Sequence, residues 1–223
     1  TGMKHRNFQH GRRDFLRTTI SLSTAFTGLT AFAPDNETAP EFAPGSLYVI
    51  GPMEGYSPHI GTIVSMLNYN RHTIIQLTKS FTMADLDHLH DKNANSIAAL
   101  LMHLGAVDKW YQINSFEGRA EFNNAEKKLW NDGMELGDLG RKNIKGKELP
   151  YYINLLTEVR QKTLEEFKKK DDQWLLSIDA ASGPNEPFNN YWKWFHVCEH
   201  ESNHRGQISF LKSRLPGAKA TKE

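Results

Sequence analysis

The sequence predicts an all-α fold, a four-helix bundle in which a long crossover connection joins the second helix to the third. Four segments repeat apolar residues at helical spacing along one face, and no segment with the alternating pattern of a strand competes with them. A polar stretch at 118–149, interrupted by glycines, separates the second segment from the third and is long enough for a crossover. Four helices with one apolar face each bury those faces most simply as a bundle.

The first segment, residues 1–33, is predicted to be a tag remnant followed by an export signal. A cationic stretch leads into an apolar run, and the sequence Arg-Arg-Asp-Phe-Leu at 12–16 resembles a twin-arginine signal. Ala-Phe-Ala fits cleavage after Ala33, and the run is too short and too rich in Ser and Thr for a comfortable membrane span. We therefore expect a periplasmic protein with no stable membrane anchor after processing. The alternative is a basic amphipathic helix that stays attached.

Residues 34–56 are predicted to be a linker and lead-in, because their prolines, glycines and polar residues give them no core of their own. The bundle is predicted over residues 57–215, and residues 216–223 form a polar tail. Ser57 before Pro58 is a favourable helix start, with serine as N-cap and proline at the first helical position.

The remaining helix starts follow from the same local signals. Asn95 or Ser96 caps the second helix, Pro150 opens the third, and Asn189 or Asn190 caps the fourth. The four long helices are therefore expected at about 57–80, 95–116, 150–170 and 190–215, with a shorter helical piece at 121–134.

Composition excludes several classes of function. The formal net charge of +1 and the pI near 7.8 leave no excess of basic charge to hold a polyanion, so nucleic acid is not an expected partner. The chain has one cysteine, Cys198, which excludes an internal disulfide and any multi-cysteine metal site. On the fourth helix Cys198 faces roughly opposite the histidines, which indicates a structural thiol and not a nucleophile.

The histidines are the candidate functional residues. His200 and His204 are one turn apart on the fourth helix, and His103 lies in the apolar stripe of the second. Three imidazoles from two helices would hold one divalent metal ion, zinc, nickel, iron or manganese, and leave positions open for water or substrate. His196, one turn earlier, is a candidate fourth ligand or a hydrogen-bonding neighbour of the site. Satisfied core histidines that bind nothing are the alternative.

Two more specific metal-binding motifs overlap these residues. The segment 200–204 matches His-Glu-x-x-His, the helix of zinc proteases, but no histidine follows His204 to complete such a site. Glu201 and His204 match the Glu-x-x-His of di-iron bundles, which need a second inward copy that the other helices do not offer. A zinc protease and a carboxylate-bridged pair are therefore both disfavoured.

The residues Ser96 to Leu104, which contain His103, and the His-x-x-x-His-Arg-Gly-Gln block that begins at His200 resemble the DinB/YfiT-like metal-binding bundle family. The resemblance implies a four-helix bundle, often a homodimer, with a divalent metal on His103, His200 and His204. It also implies thiol-dependent transferases, isomerases and suspected hydrolases among relatives. Thiol cosubstrates such as mycothiol are cytoplasmic, so an export signal favours other chemistry.

Three hypotheses follow. The first is an exported metal-dependent enzyme whose three-histidine site activates water or substrate for hydrolysis or group transfer on a small molecule. The second is a bundle that binds a divalent metal or small ligand without catalysis, and the third is a structural protein without metal. Glu201 and Gln207 are the candidates for a catalytic role, because both lie close to the histidine stripe.

Overall fold

The structure is a computed structural model that describes residues 46–179, 182–183 and 185–219. The predicted export signal, the first part of the linker up to residue 45 and the end of the polar tail lie outside the described residues. The described residues belong to one compact unit, Phe42–Glu223.

The all-α prediction is confirmed. The described part of the chain contains helices and no strand, in this order: α1 (Pro58–Thr78), α2 (Met83–Asp87), α3 (Ile97–Phe116), α4 (Asn124–Glu135), α5 (Gly137–Asn143), α6 (Leu149–Phe167), α7 (Asp172–Leu176) and α8 (Asn190–Lys212).

Two of the predicted caps form the expected hydrogen bonds, whereas Ser57, at the N-cap position of α1, makes no side-chain hydrogen bond to its helix and donates to Asp172 instead. The side chain of Ser96 accepts a hydrogen bond from the backbone of Ala99 at the start of α3, and Asn189 accepts one from Trp192 at the start of α8. The helical piece predicted at 121–134 is α4. The short helices α2, α5 and α7 were not predicted, because five to seven residues are too few to show a helical period.

The long helices pack on one another in pairs. α1 contacts α6 and α8, and α3 contacts the same two helices, which agrees with a bundle. α4 packs on α3 and contacts α5, so the long connection covers one side of α3. Among the described residues, no helix has the length and apolar character needed to span a membrane.

A buried ion-pair network joins all four long helices. It consists of Arg71 on α1, Asp108 on α3, Arg160 on α6 and Glu201 on α8. Arg71 Nη2 donates to Glu201 Oε1 at 2.6 Å, and Arg160 Nε donates to Asp108 Oδ2 at 2.9 Å. Two cations and two anions balance, so the buried charges compensate one another and fix how the helices meet.

Candidate metal centre

The structure brings the three predicted histidines together. The Nε2 atoms of His103 and His200 are 3.1 Å apart, and the Nε2 atoms of His200 and His204 are also 3.1 Å apart. The ligand atoms of all three residues lie within 4.8 Å of one another. Three imidazole nitrogens from α3 and α8 thus point at one small volume.

Helix geometry explains this convergence. Residues four apart on a helix are neighbours on the same face, so His200 and His204 present their rings side by side. His103 reaches them because α3 packs against α8. His204 is buried, and His103 and His200 are half-buried, so the site is partly accessible to solvent.

Hydrogen bonds orient two of the rings through their other nitrogen. His103 Nδ1 lies 2.9 Å from the backbone carbonyl oxygen of Gly133 on α4, and His204 Nδ1 lies 3.1 Å from the side-chain oxygen of Gln207. A carbonyl oxygen only accepts, so Nδ1 of His103 carries the proton and its Nε2 presents a lone pair. With the amide oxygen of Gln207 facing His204, the same holds there. This is the arrangement typical of histidines that bind metals.

The surroundings keep these rings neutral. Burial lowers the pKa of His103. Burial, with the neighbouring imidazoles, lowers the pKa of His200 to about 3, and burial lowers that of His204 to about 4. Neutral imidazole is the form that binds a metal, so all three rings are ready to coordinate at neutral pH.

The donor set fits a divalent ion. Zinc-bound imidazole nitrogens lie about 2.0–2.1 Å from the ion, which in tetrahedral geometry puts them about 3.3–3.4 Å apart. The two Nε2 separations of 3.1 Å are close to that spacing. Nε2 of His200 can donate at most one hydrogen bond, although the Nε2 lone pairs of both His103 and His204 face it. A cation among the three nitrogens would satisfy all of them.

His196 lies beside the centre and is outside the converging group. Its Nδ1 is 2.7 Å from Glu199 Oε1, and its ring stacks on Trp192 with an interplanar angle of 4°. The ring centroids of His196 and His200 are 5.8 Å apart. Of the two roles considered for His196, this placement suits a neighbour of the site better than a fourth ligand.

The two weak catalytic candidates have different surroundings. Gln207 is exposed and contacts His204, so it can orient that ring. Glu201 is 1% exposed, and its Oε1 accepts hydrogen bonds from Arg71 and Arg160. Because two buried guanidinium groups hold this carboxylate, it cannot rotate toward a water molecule at the histidine centre. This argues further against the zinc-protease interpretation.

Cys198 does not contribute to the centre. It is buried in an apolar cluster with Trp194 and Val197, and burial raises the pKa of its thiol to about 12. This agrees with the structural role predicted from the sequence, because a thiol with so high a pKa is not a nucleophile at neutral pH.

Two features of the site were not predicted. One is the carbonyl of Gly133, since a backbone acceptor on another helix leaves no signal in the residue pattern. The other is a cavity of about 510 Å³ beside the centre, lined by Asn95, Leu100, Asn203, Gln207 and Phe210 among others. Gln207 belongs to both the cavity wall and the histidine site.

A comparison with protein families places the histidine centre in a known context. The family model described as mycothiol-S-transferase matches residues 62–217, a range that contains His103, His200 and His204. No curated protein matches the chain.

Proposed function

We propose, since the chain belongs to the mycothiol-S-transferase family and hence to the DinB/YfiT-like families, that it is a metal-dependent enzyme that transfers a group between a small molecule and a thiol. The observation that carries the proposal is the convergence of three neutral imidazoles on one point. The family name suggests mycothiol or a similar low-molecular-weight thiol as the cosubstrate.

A divalent cation on these histidines would act as a Lewis acid and lower the pKa of a bound thiol or water. His103, His200 and His204 would hold the ion, and zinc, nickel, iron and manganese are all compatible with imidazole ligands. The bonds to Gly133 and Gln207 keep the ligand nitrogens deprotonated and aimed inward.

Among the residues that the structure describes, no side chain at this centre is available as a nucleophile. Cys198 is buried with a raised pKa, and the carboxylate of Glu201 is held by two arginines. The attacking group must therefore come from a bound cosubstrate or from water. This requirement favours a thiol-dependent transferase or a hydrolase over an enzyme with a covalent protein intermediate.

The cavity beside Gln207 is the proposed place for the small molecule. Its wall combines the carboxamides of Asn95, Asn203 and Gln207 with the apolar side chains of Leu100 and Phe210. A pocket of this kind binds an uncharged body and orients it with a few hydrogen bonds. We propose further that the protein forms a homodimer, as the resemblance to its family implies.

Hydrolysis is the second candidate, and the N-terminal sequence favours it. If residues 1–33 export the protein to the periplasm, a cytoplasmic thiol is not available there, whereas water is. A three-histidine centre with open positions is equally suited to activating water.

Elemental analysis of protein purified without added metal tests the centre. We expect about one divalent ion per chain in the wild type, and a large loss in His103→Ala, His200→Ala and His204→Ala. His72→Ala is the matched control, because His72 is an exposed histidine of α1 outside the cluster. Equally negligible metal in all five proteins would refute the proposal.

Activity assays then separate the two reactions. Metal-loaded protein is incubated with a thiol and a panel of electrophiles, and separately with ester, amide, phosphate and lactone panels in the absence of thiol. Turnover that requires the thiol supports transfer, and turnover without it supports hydrolysis. If the metal-loaded protein is inactive in both panels while the His→Ala variants have lost the metal, a non-catalytic metal-binding bundle is the correct alternative.

Export is tested separately. A reporter fused after residue 45 should appear in the periplasm, and paired replacement of Arg12 and Arg13 by lysine should retain it in the cytoplasm. A reporter that stays cytoplasmic with both arginines present would contradict the export proposal and favour the thiol-dependent reaction.

A further inference from the structure

We infer that Gly133 is a positioning residue for the metal centre: its carbonyl fixes the proton and the orientation of His103, so that metal binding is coupled to the docking of α4 on α3. This inference rests on the proposed metal centre. It assigns a role to the connection between α3 and α6, which supplies no metal ligand itself.

The contact between His103 and Gly133 is specific. Of the three histidines, His103 is the one whose ring is oriented by the backbone of another helix, with Nδ1 2.9 Å from the Gly133 oxygen. Without this acceptor, the proton could sit on either ring nitrogen, and the tautomer with a proton on Nε2 has no lone pair there to offer the ion. The carbonyl therefore selects the form that coordinates.

The close approach of α4 requires glycine at this position. A Cβ on Gly133 would lie 2.8 Å from Met102 Cγ and 3.1 Å from the Met102 carbonyl oxygen. Met102 directly precedes His103, so a side chain here would push α4 away at the turn that carries the ligand. The carbonyl would then move out of hydrogen-bonding distance of Nδ1.

Other contacts hold α4 independently of His103. Trp130 packs so closely over Gly105 that a Cβ there would lie 2.7 Å from the indole. Glu126 accepts a salt bridge from Lys109 of α3 at 3.0 Å and another from Arg119 at 2.9 Å. α4 can therefore stay packed against α3 in the metal-free protein. In that position the Gly133 carbonyl holds His103 in the form that binds the ion, and this favours metal binding. Coupling of this kind is reciprocal, so metal should also stabilise α4.

Gly133→Ala tests the inference, with Gly140→Ala as the matched control. Both glycines are buried within helices of the connection, but a Cβ at Gly140 would meet Ala99 Cβ at an ordinary 3.6 Å. We expect the zinc dissociation constant, from chelator competition, to rise about 10- to 100-fold in Gly133→Ala, and to change less than about 2-fold in Gly140→Ala. The d–d absorption of bound Co²⁺ should shift in Gly133→Ala alone.

Nitrogen NMR of the metal-free proteins provides a direct readout of the tautomer. The wild type should show the His103 proton on Nδ1, and Gly133→Ala should show it distributed over both nitrogens. Wild-type zinc affinity together with the wild-type tautomer in Gly133→Ala would overturn the inference and leave the proposed metal centre intact.

Hydrogen exchange of the wild type tests the same coupling even if Gly133→Ala does not fold. Zinc should slow amide exchange in α4, around 130–135, by more than in α1. Zinc that binds without protecting α4 would refute the coupling alone. A wild type that binds no zinc would refute both the coupling and the proposed metal centre.

Discussion

His200 and Glu201 are neighbours on α8, but they lie in opposite surroundings. The imidazole of His200 faces two other imidazoles and is half-buried, whereas the carboxylate of Glu201 is 1% exposed and held by Arg71 and Arg160. One helix thus presents a site for a ligand on one face and a buried ion-pair network on another. Within the same short motif, His200 thus belongs to the proposed metal site and Glu201 belongs to the network that stabilises the fold.

The difference shows why the motif alone is misleading. In a zinc protease the glutamate of His-Glu-x-x-His works beside the metal, whereas here it balances the charge of two buried arginines. Changes at Glu201 should therefore affect folding, and changes at the histidines should affect metal binding.

The largest effect is expected for Glu201→Gln. Removing one partner of a buried ion pair leaves the other charge uncompensated, which costs about 3–5 kcal/mol of unfolding free energy. Urea denaturation measures this loss. Glu199→Gln is the control two residues earlier on α8, where the side chain is exposed and a change within about 0.5 kcal/mol is expected. A Glu201→Gln protein that is as stable as the wild type but has lost its metal would show that Glu201 acts at the metal centre and not in the buried ion-pair network.

The next effect is expected for His200→Ala. The zinc dissociation constant should rise by more than about 100-fold, since the loss of a mere outer partner of a ligand already costs 10- to 100-fold. The unfolding free energy of the metal-free protein should change far less than in Glu201→Gln. Chelator competition and urea denaturation of the same preparation measure both quantities. Unchanged zinc affinity would show that His200 is not a ligand.

Low pH should reduce the unfolding free energy of the metal-free protein, because His200 and His204 take up protons less readily when the protein is folded. The pKa values of His200 and His204 are lowered to about 3 and about 4, compared with about 6.5 in an unfolded chain. Between these values the unfolded chain binds more protons, so the free energy of unfolding is highest above about pH 6.5 and falls as the pH drops toward about 4. Urea denaturation in chelator should show this fall, and His200→Ala should show a shallower one. If the unfolding free energy fell equally steeply with pH in the wild type and in His200→Ala, the proposed role of His200 in this pH dependence would be contradicted.

The smallest effect is expected for Gln207→Leu. Gln207 orients His204, but it is exposed, so water can replace its hydrogen bond. Zinc affinity should fall by about 10-fold or less, at the low end of the range for such partners. Asn203→Leu is the control, because Asn203 lines the same cavity without a bond to a histidine. A loss as large as that of His200→Ala would mean that Gln207 has a more direct role.

Local signals account for what the sequence predicted well. Ser96 and Asn189 were recognised as caps because capping depends on the residue and its immediate neighbours. His200 and His204 were paired because spacing along one helix fixes which side chains are adjacent. His103 was added through its position in an apolar stripe and through the family resemblance.

Contacts between helices account for what was missed. Arg71 and Arg160 lie far from Glu201 in the sequence, and nothing in their own segments marks them as its partners. The guanidinium of Arg205 on α8 likewise donates to Thr73 of α1 at 2.7 Å, and nothing in its own segment indicates this partner. Such pairings depend on the mutual placement of helices, which periodicity does not specify.

X-ray absorption spectroscopy of the zinc-loaded protein identifies the ligands of the ion directly. We expect three imidazole nitrogens at about 2.0–2.1 Å from the ion, with the remaining positions filled by light atoms from solvent. His103→Ala, His200→Ala and His204→Ala should each remove one imidazole from that shell or abolish binding. A shell with sulfur from Cys198, or one that keeps three imidazoles in any of these variants, would contradict the assignment.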